Sequence, residues 1–302
     1  MLAPFLLMRA LERDSPCKVN LLLDILHRRP DGFHALETIL HPVPLFDSLR
    51  FERAGASLAL SCNLAELPAD GSNLVHRAAS SFLTRAGVRD GVRIHLEKRL
   101  PLAAGLGGGS ANAATTLLAL DELFGKPLGP GVLAELAASL GSDVPFFLQP
   151  KPALATGRGE SIQPHDWFPA LRGARLLLIH PGFGVPTAWA YQNLARFPAA
   201  LSGQPGRAAS LLALLRQSDL TAAGAGFYNS LEAPVLAKYP ILALYQEFLR
   251  AEGAAAALMS GSGSTTFALT DGEEKAGRLR DRFHEKFGAR AWTAVVALGP
   301  QG

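Results

Sequence analysis

The sequence predicts an α+β fold, in two domains or in one large one. The chain of 302 residues is longer than an average single domain. Helical and strand-like patterns are mixed along it, without the steady alternation that βαβ units produce. Apolar residues make up 48% of the chain and charged residues 18%, so there is enough apolar material for a core.

The bulk composition excludes several classes of protein. The formal net charge is only +3 and no run of five Lys or Arg residues occurs, so nucleic acid is not an expected partner. Cys17 and Cys62 form neither a disulfide framework nor a metal-binding spacing, and a reducing cytoplasm is the expected location. Residues 1–11 are apolar but too short to cross a bilayer, and their charges follow the apolar run, so neither a signal peptide nor a membrane span is predicted.

The elements can be placed in order. Apolar and polar residues alternate over residues 18–26, which predicts a strand with one apolar face. Residues 48–53 and 57–61 are predicted to pair as strands, and Asn73 is predicted to cap a helix that extends to about Thr84. Further predicted strands cover 92–96, 176–180, 265–269 and 293–298, further helices cover 111–124, 132–140 and 233–250, and 164–169 and 201–207 are a linker and a surface loop.

A glycine-rich segment lies between the predicted strand 92–96 and the predicted helix 111–124. A helix start carries unpaired N–H groups and positive potential, and glycines let a backbone approach an anion closely. Four glycines in five residues exceed what a turn needs, so the segment predicts phosphate binding over a plain flexible turn. Its residues are Pro101, Leu102, Ala103, Ala104, Gly105, Leu106, Gly107, Gly108, Gly109, Ser110 and Ala111.

The segment matches neither common phosphate-binding fingerprint. No Gly-Lys-Ser/Thr follows the glycines, so it is not a Walker A loop. Ser110 stands where G-x-G-x-x-G requires its third glycine. The Ser110 hydroxyl is instead a candidate for capping the helix or for contacting a phosphate or Mg²⁺.

Other candidates are weaker when taken one at a time. The Gly/Ser-rich loop at residues 259–265 offers amides and hydroxyls to an anion, but a β-turn explains it equally well. Lys18 begins a predicted strand, where lysines are usually solvated charges. Asp143 follows a predicted helix, where aspartates usually make turns or caps.

Together these segments resemble the superfamily of galactokinase, homoserine kinase, mevalonate kinase and phosphomevalonate kinase. Its three motifs are a segment near the N-terminus, a P-x-x-x-G-L-G-S/G-S/G-S/A loop and a late Gly/Ser-rich loop, and all three occur here in order. The resemblance covers nearly the whole chain. It implies an N-terminal ATP-binding domain at residues 1–165, similar to ribosomal protein S5 domain 2, and a ferredoxin-like, substrate-binding domain at residues 170–302.

Within the superfamily the chain most resembles the kinases that act on 4-diphosphocytidyl-2-C-methyl-D-erythritol in the non-mevalonate isoprenoid pathway. Residues 16–21, 29–34, 105–114, 141–147 and 180–182 carry this resemblance. It implies phosphorylation of the 2-hydroxyl of that substrate by ATP with Mg²⁺, in a monomer or homodimer. The alternatives are a mevalonate or homoserine kinase, or a non-catalytic nucleotide-binding protein.

The resemblance also implies roles for residues. Lys18 and Asp143 would be the catalytic pair, with Asp143 accepting or orienting the hydroxyl proton and Lys18 keeping Asp143 ionised. Asn73 and the whole segment from Pro101 to Ala111 would bind the nucleotide, and Ser110 is a candidate Mg²⁺ ligand.

The cytidine diphosphate part of the substrate would be held by aromatic residues. Phe33 and Tyr191 would stack on the cytosine, with Trp189 as the alternative to Tyr191, and His34 would read its edge. The rest of the implied substrate site consists of Asn20, Gly261, Ser262 and Gly263.

Two features depart from the family pattern. The family commonly has Tyr where Phe33 stands, so a hydroxyl contact is lost while stacking remains. It commonly has glycines where Ala103 and Ala104 stand. An alanine with positive φ costs about 1–2 kcal/mol, and we expect little effect on function.

Overall fold

A computed structural model describes residues 9–149 and 151–299. The chain forms two compact units. The first contains the described residues of Met1–Cys17, Leu45–Leu100 and Gly108–Pro150, and the second those of Lys18–Pro44, Pro101–Gly107 and Lys151–Gly302. Neither unit is continuous in sequence, because strands β1 (Ala10–Arg28) and β2 (His34–Arg53) contribute residues to both. The functional division near residues 165–170 stays a prediction.

In the first unit, two further strands pair beside β2. β3 (Leu58–Cys62) is parallel to β4 (Val92–Glu97), and β4 is antiparallel to the last residues of β2. The predicted pairing of residues 48–53 with 57–61 is therefore wrong. Both segments are strands, but β4 arrives from later in the chain and pairs with each of them.

Three helices complete the first unit: α1 (Leu74–Ala86), α2 (Gly108–Leu123) and α3 (Pro130–Leu140). Helix α1 begins where the sequence predicts, because the Asn73 side chain accepts a hydrogen bond from Val75 N at 2.9 Å. It ends at Gly87, which adopts φ +64° as a left-handed cap. Its buried face comprises Val75, Ala78, Ala79 and Phe82.

The second unit contains a four-stranded antiparallel sheet in the order β11–β7–β10–β9. Its strands are β7 (Arg175–His180), β9 (Ala256–Met259), β10 (Thr266–Thr270) and β11 (Trp292–Ala297), with α9 (Pro240–Ala251) before β9 and α10 (Glu273–Phe287) before β11. This split βαβ order is ferredoxin-like, so the prediction for the C-terminal part is confirmed.

Shorter strands extend the second unit. β5 (Ala153–Thr156) pairs antiparallel with β2 and with β6 (Ser161–Pro164). β8 (Tyr228–Asn229) runs parallel to β1 and pairs with Leu22 and Leu23. The remaining helices are α4 (Thr187–Leu194), α5 (Pro198–Leu201), α6 (Arg207–Leu215), α7 (Leu220–Ala225) and α8 (Glu232–Lys238).

One helix prediction is wrong. Residues 233–250 form two helices, α8 and α9, separated at Tyr239, whose φ is −124°. Proline disfavours helical geometry in the preceding residue and lacks the N–H that a helix interior needs. Pro240 therefore ends one helix and begins the next.

The core of the second unit joins the sheet to β1 and the helices. Apolar side chains from β1, β7, β9 and β10 pack with α8, α9 and α10. Among residues 9–149 and 151–299, no helix has the length and apolar character needed to cross a bilayer.

Candidate active site

The glycine segment bends sharply before helix α2, which starts at Gly108, three residues earlier than predicted. Gly105 and Gly107 adopt φ +76° and +70°, a region that glycine enters without steric cost. Ala103 also has a positive φ, +49°, so the alanine in place of the family's glycine is strained. Unpaired N–H groups at the start of α2 are suited to an anion, as the sequence predicts.

A buried charged cluster lies against the start of α2 in the first unit. The Lys98 ammonium donates to Asp47 Oδ2 and, at 3.3 Å, to Asn112 Oδ1. Asp47 is fully buried, and its other oxygen accepts from two backbone N–H groups at 2.8 and 2.9 Å. A methyl group added to Gly108 would lie 2.9 Å from Lys98 Nζ, so the ammonium packs directly against the first residue of α2.

The sequence analysis missed this cluster. Lys98 ends the apolar–polar alternation of β4 just before the glycine segment, and that position is the only signal it leaves in the sequence. Asp47 lies more than fifty residues away within β2, and nothing in the sequence connects the two.

Asn73 lies at the start of α1, close to the start of α2. Its Oδ1 caps α1, and its Nδ2 donates to Pro68 O at 2.8 Å. A methyl group added to Gly109 would lie 3.6 Å from the Leu74 side chain, so the first turns of the two helices are neighbours. This position supports the predicted nucleotide role of Asn73, which stays a prediction.

In the second unit, Lys18 is bound to the glycine segment. Its side chain is buried, with 3% of the residue exposed, and Nζ donates to Asn20 Oδ1 at 2.6 Å and Gly105 O at 3.0 Å. The Lys18 backbone N–H donates to Leu106 O at 2.9 Å. Asn20 is held in turn by its Nδ2 bond to Thr38 at 2.8 Å.

The late Gly/Ser-rich loop, residues 259–265, also contacts the glycine segment. Ser260 Oγ donates to Gly105 O at 3.0 Å, and Thr265 N donates to Ala104 O at 3.1 Å. A methyl group added to Gly261 would lie 3.2 Å from Lys18 Nζ. The second unit therefore brings three predicted segments together around the Lys18 ammonium.

The other predicted residues of the late loop lie slightly further along. Ser262 Oγ is 2.9 Å from Thr187 Oγ1 at the start of α4. Thr187 therefore contacts the loop, although no pattern in the sequence selects it. Gly263 has φ +81°, and a methyl group there would lie 2.5 Å from the Met259 sulfur.

Asp143 belongs to the first unit. It follows α3 and precedes a 3₁₀ turn, Pro145–Leu148, whose Phe146 and Phe147 are buried with ring centroids 5.0 Å apart. These rings anchor the turn that presents Asp143. Lys18 belongs to the second unit, and its catalytic pairing with Asp143 stays a prediction.

The predicted cytosine-binding residues are grouped in the second unit. The rings of His34 and Tyr191 have centroids 5.4 Å apart, and Phe33 is 53% exposed. The Arg158 guanidinium lies 4.8 Å from the centroid of the Phe33 ring, a contact not predicted from the sequence. Burial and the positive charge of Arg28 hold the pKa of His34 below its usual value.

Trp189 lies in a different environment from Tyr191. The Lys238 ammonium lies 4.0 Å from the centroid of the Trp189 ring. The Trp189 and Tyr239 rings have centroids 6.3 Å apart. Trp189 and Tyr191 both pack against the core of the second unit, so core packing does not distinguish them. The contact between Tyr191 and His34 therefore favours Tyr191 as the stacking residue.

Comparisons with known proteins identify the family. The model "GHMP kinases N terminal domain" matches residues 73–150, and "GHMP kinases C terminal" matches residues 211–289. A 4-diphosphocytidyl-2-C-methyl-D-erythritol kinase from Synechococcus sp. (strain JA-3-3Ab) is 43% identical over 278 residues, covering 89% of this chain and 88% of that protein. The chain belongs to the GHMP kinases.

Further similar proteins support the same family assignment. The 4-diphosphocytidyl-2-C-methyl-D-erythritol kinase from Geobacter sulfurreducens is 37% identical, over 96% of this chain and 99% of that protein. A crystal structure of 4-(cytidine 5'-diphospho)-2C-methyl-D-erythritol kinase matches with a TM-score of 0.78 and 36% identity, covering 96% of this chain and 100% of that one. Homoserine kinase from Cytophaga hutchinsonii has the same TM-score at 20% identity, covering 99% of this chain and 97% of that one, which shows the fold alone.

Family membership confirms several predictions. As a GHMP kinase, the chain is an ATP-dependent small-molecule kinase with the two-domain α+β fold that the sequence predicts.

In the described residues no group of three or more His, Cys, Asp or Glu side chains could hold a metal ion. Ser110, in the first turn of α2, stays the predicted protein ligand of Mg²⁺.

Proposed function

We propose that this GHMP kinase transfers the γ-phosphoryl group of ATP to the 2-hydroxyl of 4-diphosphocytidyl-2-C-methyl-D-erythritol. The structural observation that supports this substrate is that His34, Tyr191 and the exposed ring of Phe33 lie in the same unit. The relatives that are 37% and 43% identical over most of their length bear the name of this kinase, which supports the same substrate here.

The cytosine would be read by a neutral histidine. Because the pKa of His34 is lowered, the imidazole is neutral at pH 7 and carries one N–H donor and one acceptor. The Watson–Crick edge of cytosine also offers both donor and acceptor groups, so a neutral ring fits it better than a doubly donating imidazolium. Stacking of the cytosine on Phe33 and Tyr191 would add about 1–3 kcal/mol for this one base.

The nucleotide phosphates would be bound by the glycine segment. The first N–H groups of α2 would donate to the phosphates, and the bend at Gly105–Gly107 would let the backbone approach them closely. Asn73 would contact the nucleotide from the neighbouring start of α1. Mg²⁺, when bound with ATP, would neutralise part of the phosphate charge, with the Ser110 hydroxyl as its protein contact.

The transfer itself needs few protein groups. The substrate hydroxyl oxygen forms a bond to the γ-phosphorus, the bond from that phosphorus to the β,γ-bridging oxygen breaks, and ADP leaves. Asp143 would take the hydroxyl proton as the bond forms. The Lys18 ammonium would offset negative charge on the transferring group, and its bonds to Asn20 and Gly105 hold it in place.

A substrate comparison tests this function. ADP release should occur with the cytidylated methylerythritol and not with mevalonate or homoserine, and cytidine diphosphate should compete with the substrate. Turnover of mevalonate or homoserine, without competition by the cytidine nucleotide, would support another kinase of the superfamily. ATP binding without turnover of any of the three alcohols would support a non-catalytic nucleotide-binding protein.

Asp143→Asn tests the catalytic role directly. The amide cannot accept the hydroxyl proton as a carboxylate does, so kcat should fall about 100-fold or more while the affinity for ATP holds. A fully active variant would remove Asp143 from the mechanism.

The proposal also includes a cytoplasmic location, no nucleic-acid or membrane partner, and a monomer or homodimer.

A further inference from the structure

A buried asparagine contacts the late loop from the strand beside β1. Asn229 is 2% exposed and lies on β8, where its register partner is Leu23 of β1. Its Nδ2 donates to the carbonyl oxygens of Met259 and Gly261, both at 2.8 Å. Its Oδ1 accepts from Leu231 N at 2.9 Å. The two carbonyls can only accept and the backbone N–H can only donate, so the orientation of the amide is determined.

The bond to Gly261 acts close to the Lys18 ammonium. Gly261 has φ +56°, and a methyl group placed on it would lie 3.1 Å from Gly105 O, 3.2 Å from Lys18 Nζ and 3.3 Å from Asn20 Oδ1. There is no free space between this glycine and the ammonium. A shift of Gly261 therefore changes the surroundings of the predicted catalytic lysine.

The other connections of the loop are made elsewhere along it. Ser260 Oγ and Thr265 N bind the glycine segment, and Glu232 Oε1 accepts from Met259 N at 2.8 Å. Nearer the middle, Ser262 Oγ lies 2.9 Å from Thr187 Oγ1, and Gly263 N donates to Ser260 O at 2.9 Å. Asn229 is the residue that binds the carbonyl of Gly261, the loop residue that packs against the ammonium. Since β8 is paired with β1, Asn229 also connects Gly261 to the strand that carries Lys18.

We propose that Asn229 is a positioning residue for phosphoryl transfer, which keeps Gly261 against the Lys18 ammonium. The inference rests on the proposed function and adds to it a residue that does not touch either substrate. Lys18 keeps its own bonds to Asn20 and Gly105. Without the two bonds from Nδ2, however, Gly261 moves away from the ammonium and the packing on that side of it is lost. A displacement of about 1 Å at such a centre is sufficient to lower kcat by about 100-fold.

The test uses two variants and a matched control. Asn229→Ala removes the amide, and Asn229→Asp keeps its shape but presents an acceptor to two carbonyl oxygens. Ser230→Ala is the control, because Ser230 Oγ accepts from Ile25 N at 3.0 Å and so loses a buried hydrogen bond that does not reach the loop. All are measured at a temperature where thermal unfolding shows each of them to be fully folded.

Both Asn229 variants should lose about tenfold to 100-fold in kcat, while KM for ATP changes less than about threefold. Amide exchange in the peptide covering residues 257–266 should become at least about tenfold faster in both. The Ser230→Ala variant should retain kcat within about twofold and leave exchange in that peptide unchanged.

A kcat for Asn229→Ala within twofold of the parent, or an equal loss in Ser230→Ala, would overturn the positioning role. If the parent protein does not turn over the cytidylated alcohol, the proposed function fails instead. The exchange measurement then decides on the positioning role alone, and unchanged exchange in the Asn229 variants would overturn it.

Discussion

The contact between the glycine segment and the late loop depends on the absence of a side chain at Gly105. A methyl group there would lie 2.0 Å from Ser260 O, although Cβ atoms essentially never approach another atom closer than 3.0 Å. In Gly105→Ala the two segments must therefore separate by about 1 Å. The carbonyl of Gly105 is also a hydrogen-bond partner of Lys18 and Ser260, so both of those contacts are strained.

Two costs can be separated in this variant. Gly105 has φ +76°, and an alanine in that region costs about 1–2 kcal/mol of stability wherever it occurs. The separation of the segments is specific to this position, and a misplacement of about 1 Å near reacting groups lowers kcat by about 100-fold.

Gly173→Ala is the matched control. Gly173 has φ +78°, and a methyl group added there meets no atom within 4 Å. It should lose about 1–2 kcal/mol in urea unfolding and keep its kcat. Gly105→Ala should lose more stability than the control and nearly all of its ADP release. Equal stability and equal kcat in the two variants would refute the argument that the glycine segment and the late loop must be in contact.

Four further predictions follow from the structure. Burial lowers the pKa of His41 from 6.5 to about 4, so below pH 6.5 the unfolded chain takes up a proton that the folded chain does not. The free energy of unfolding should therefore fall by about 3 kcal/mol from pH 6.5 to 4, and His41→Phe should flatten this slope in acid titrations followed by urea unfolding. Ala103→Gly should raise the free energy of unfolding by up to about 1 kcal/mol, since it relieves left-handed strain but makes the unfolded chain more flexible, and a loss would contradict the strain. Phe33→Ala should raise KM for the cytidylated substrate about tenfold and leave KM for ATP unchanged, whereas equal effects would indicate a folding role. Asp47→Asn should cost about 3–5 kcal/mol in urea unfolding because it leaves the Lys98 ammonium buried without a counter-charge, and a cost below 1 kcal/mol would contradict the buried pair.

Much of the fold could be predicted because its signals are local. The capping Asn73, the alternation in β4 and the glycine segment before α2 each contain within a few residues what specifies the element. One failure, the single helix predicted over residues 233–250, overlooked a local signal, because Pro240 itself separates α8 from α9. The other failure concerns information from elsewhere in the chain. Strand pairing in the first unit depends on β4 arriving between two segments that are neighbours in sequence, and no local pattern records this.

The site was predicted unevenly for the same reason. The motif around Lys18, the glycine segment and the late loop each have a composition that can be recognised, and the second unit brings them together. Arg158, Thr187 and the Asp47–Lys98 pair have no such composition. Their contacts join residues that are distant along the chain, so only the folded arrangement identifies them.

The discontinuous units have a consequence for biosynthesis. Residues 18–44 and 101–107 leave the ribosome before any of the chain from residue 151 onwards, although all of them belong to the second unit. Chains begin to fold from the N-terminus while they are being synthesised. The strand that bears Lys18 therefore reaches its final packing only after β8 and the late loop have been synthesised. A truncated product that ends near residue 165 would expose the apolar side of β1, which makes it a natural target for chaperones and proteases.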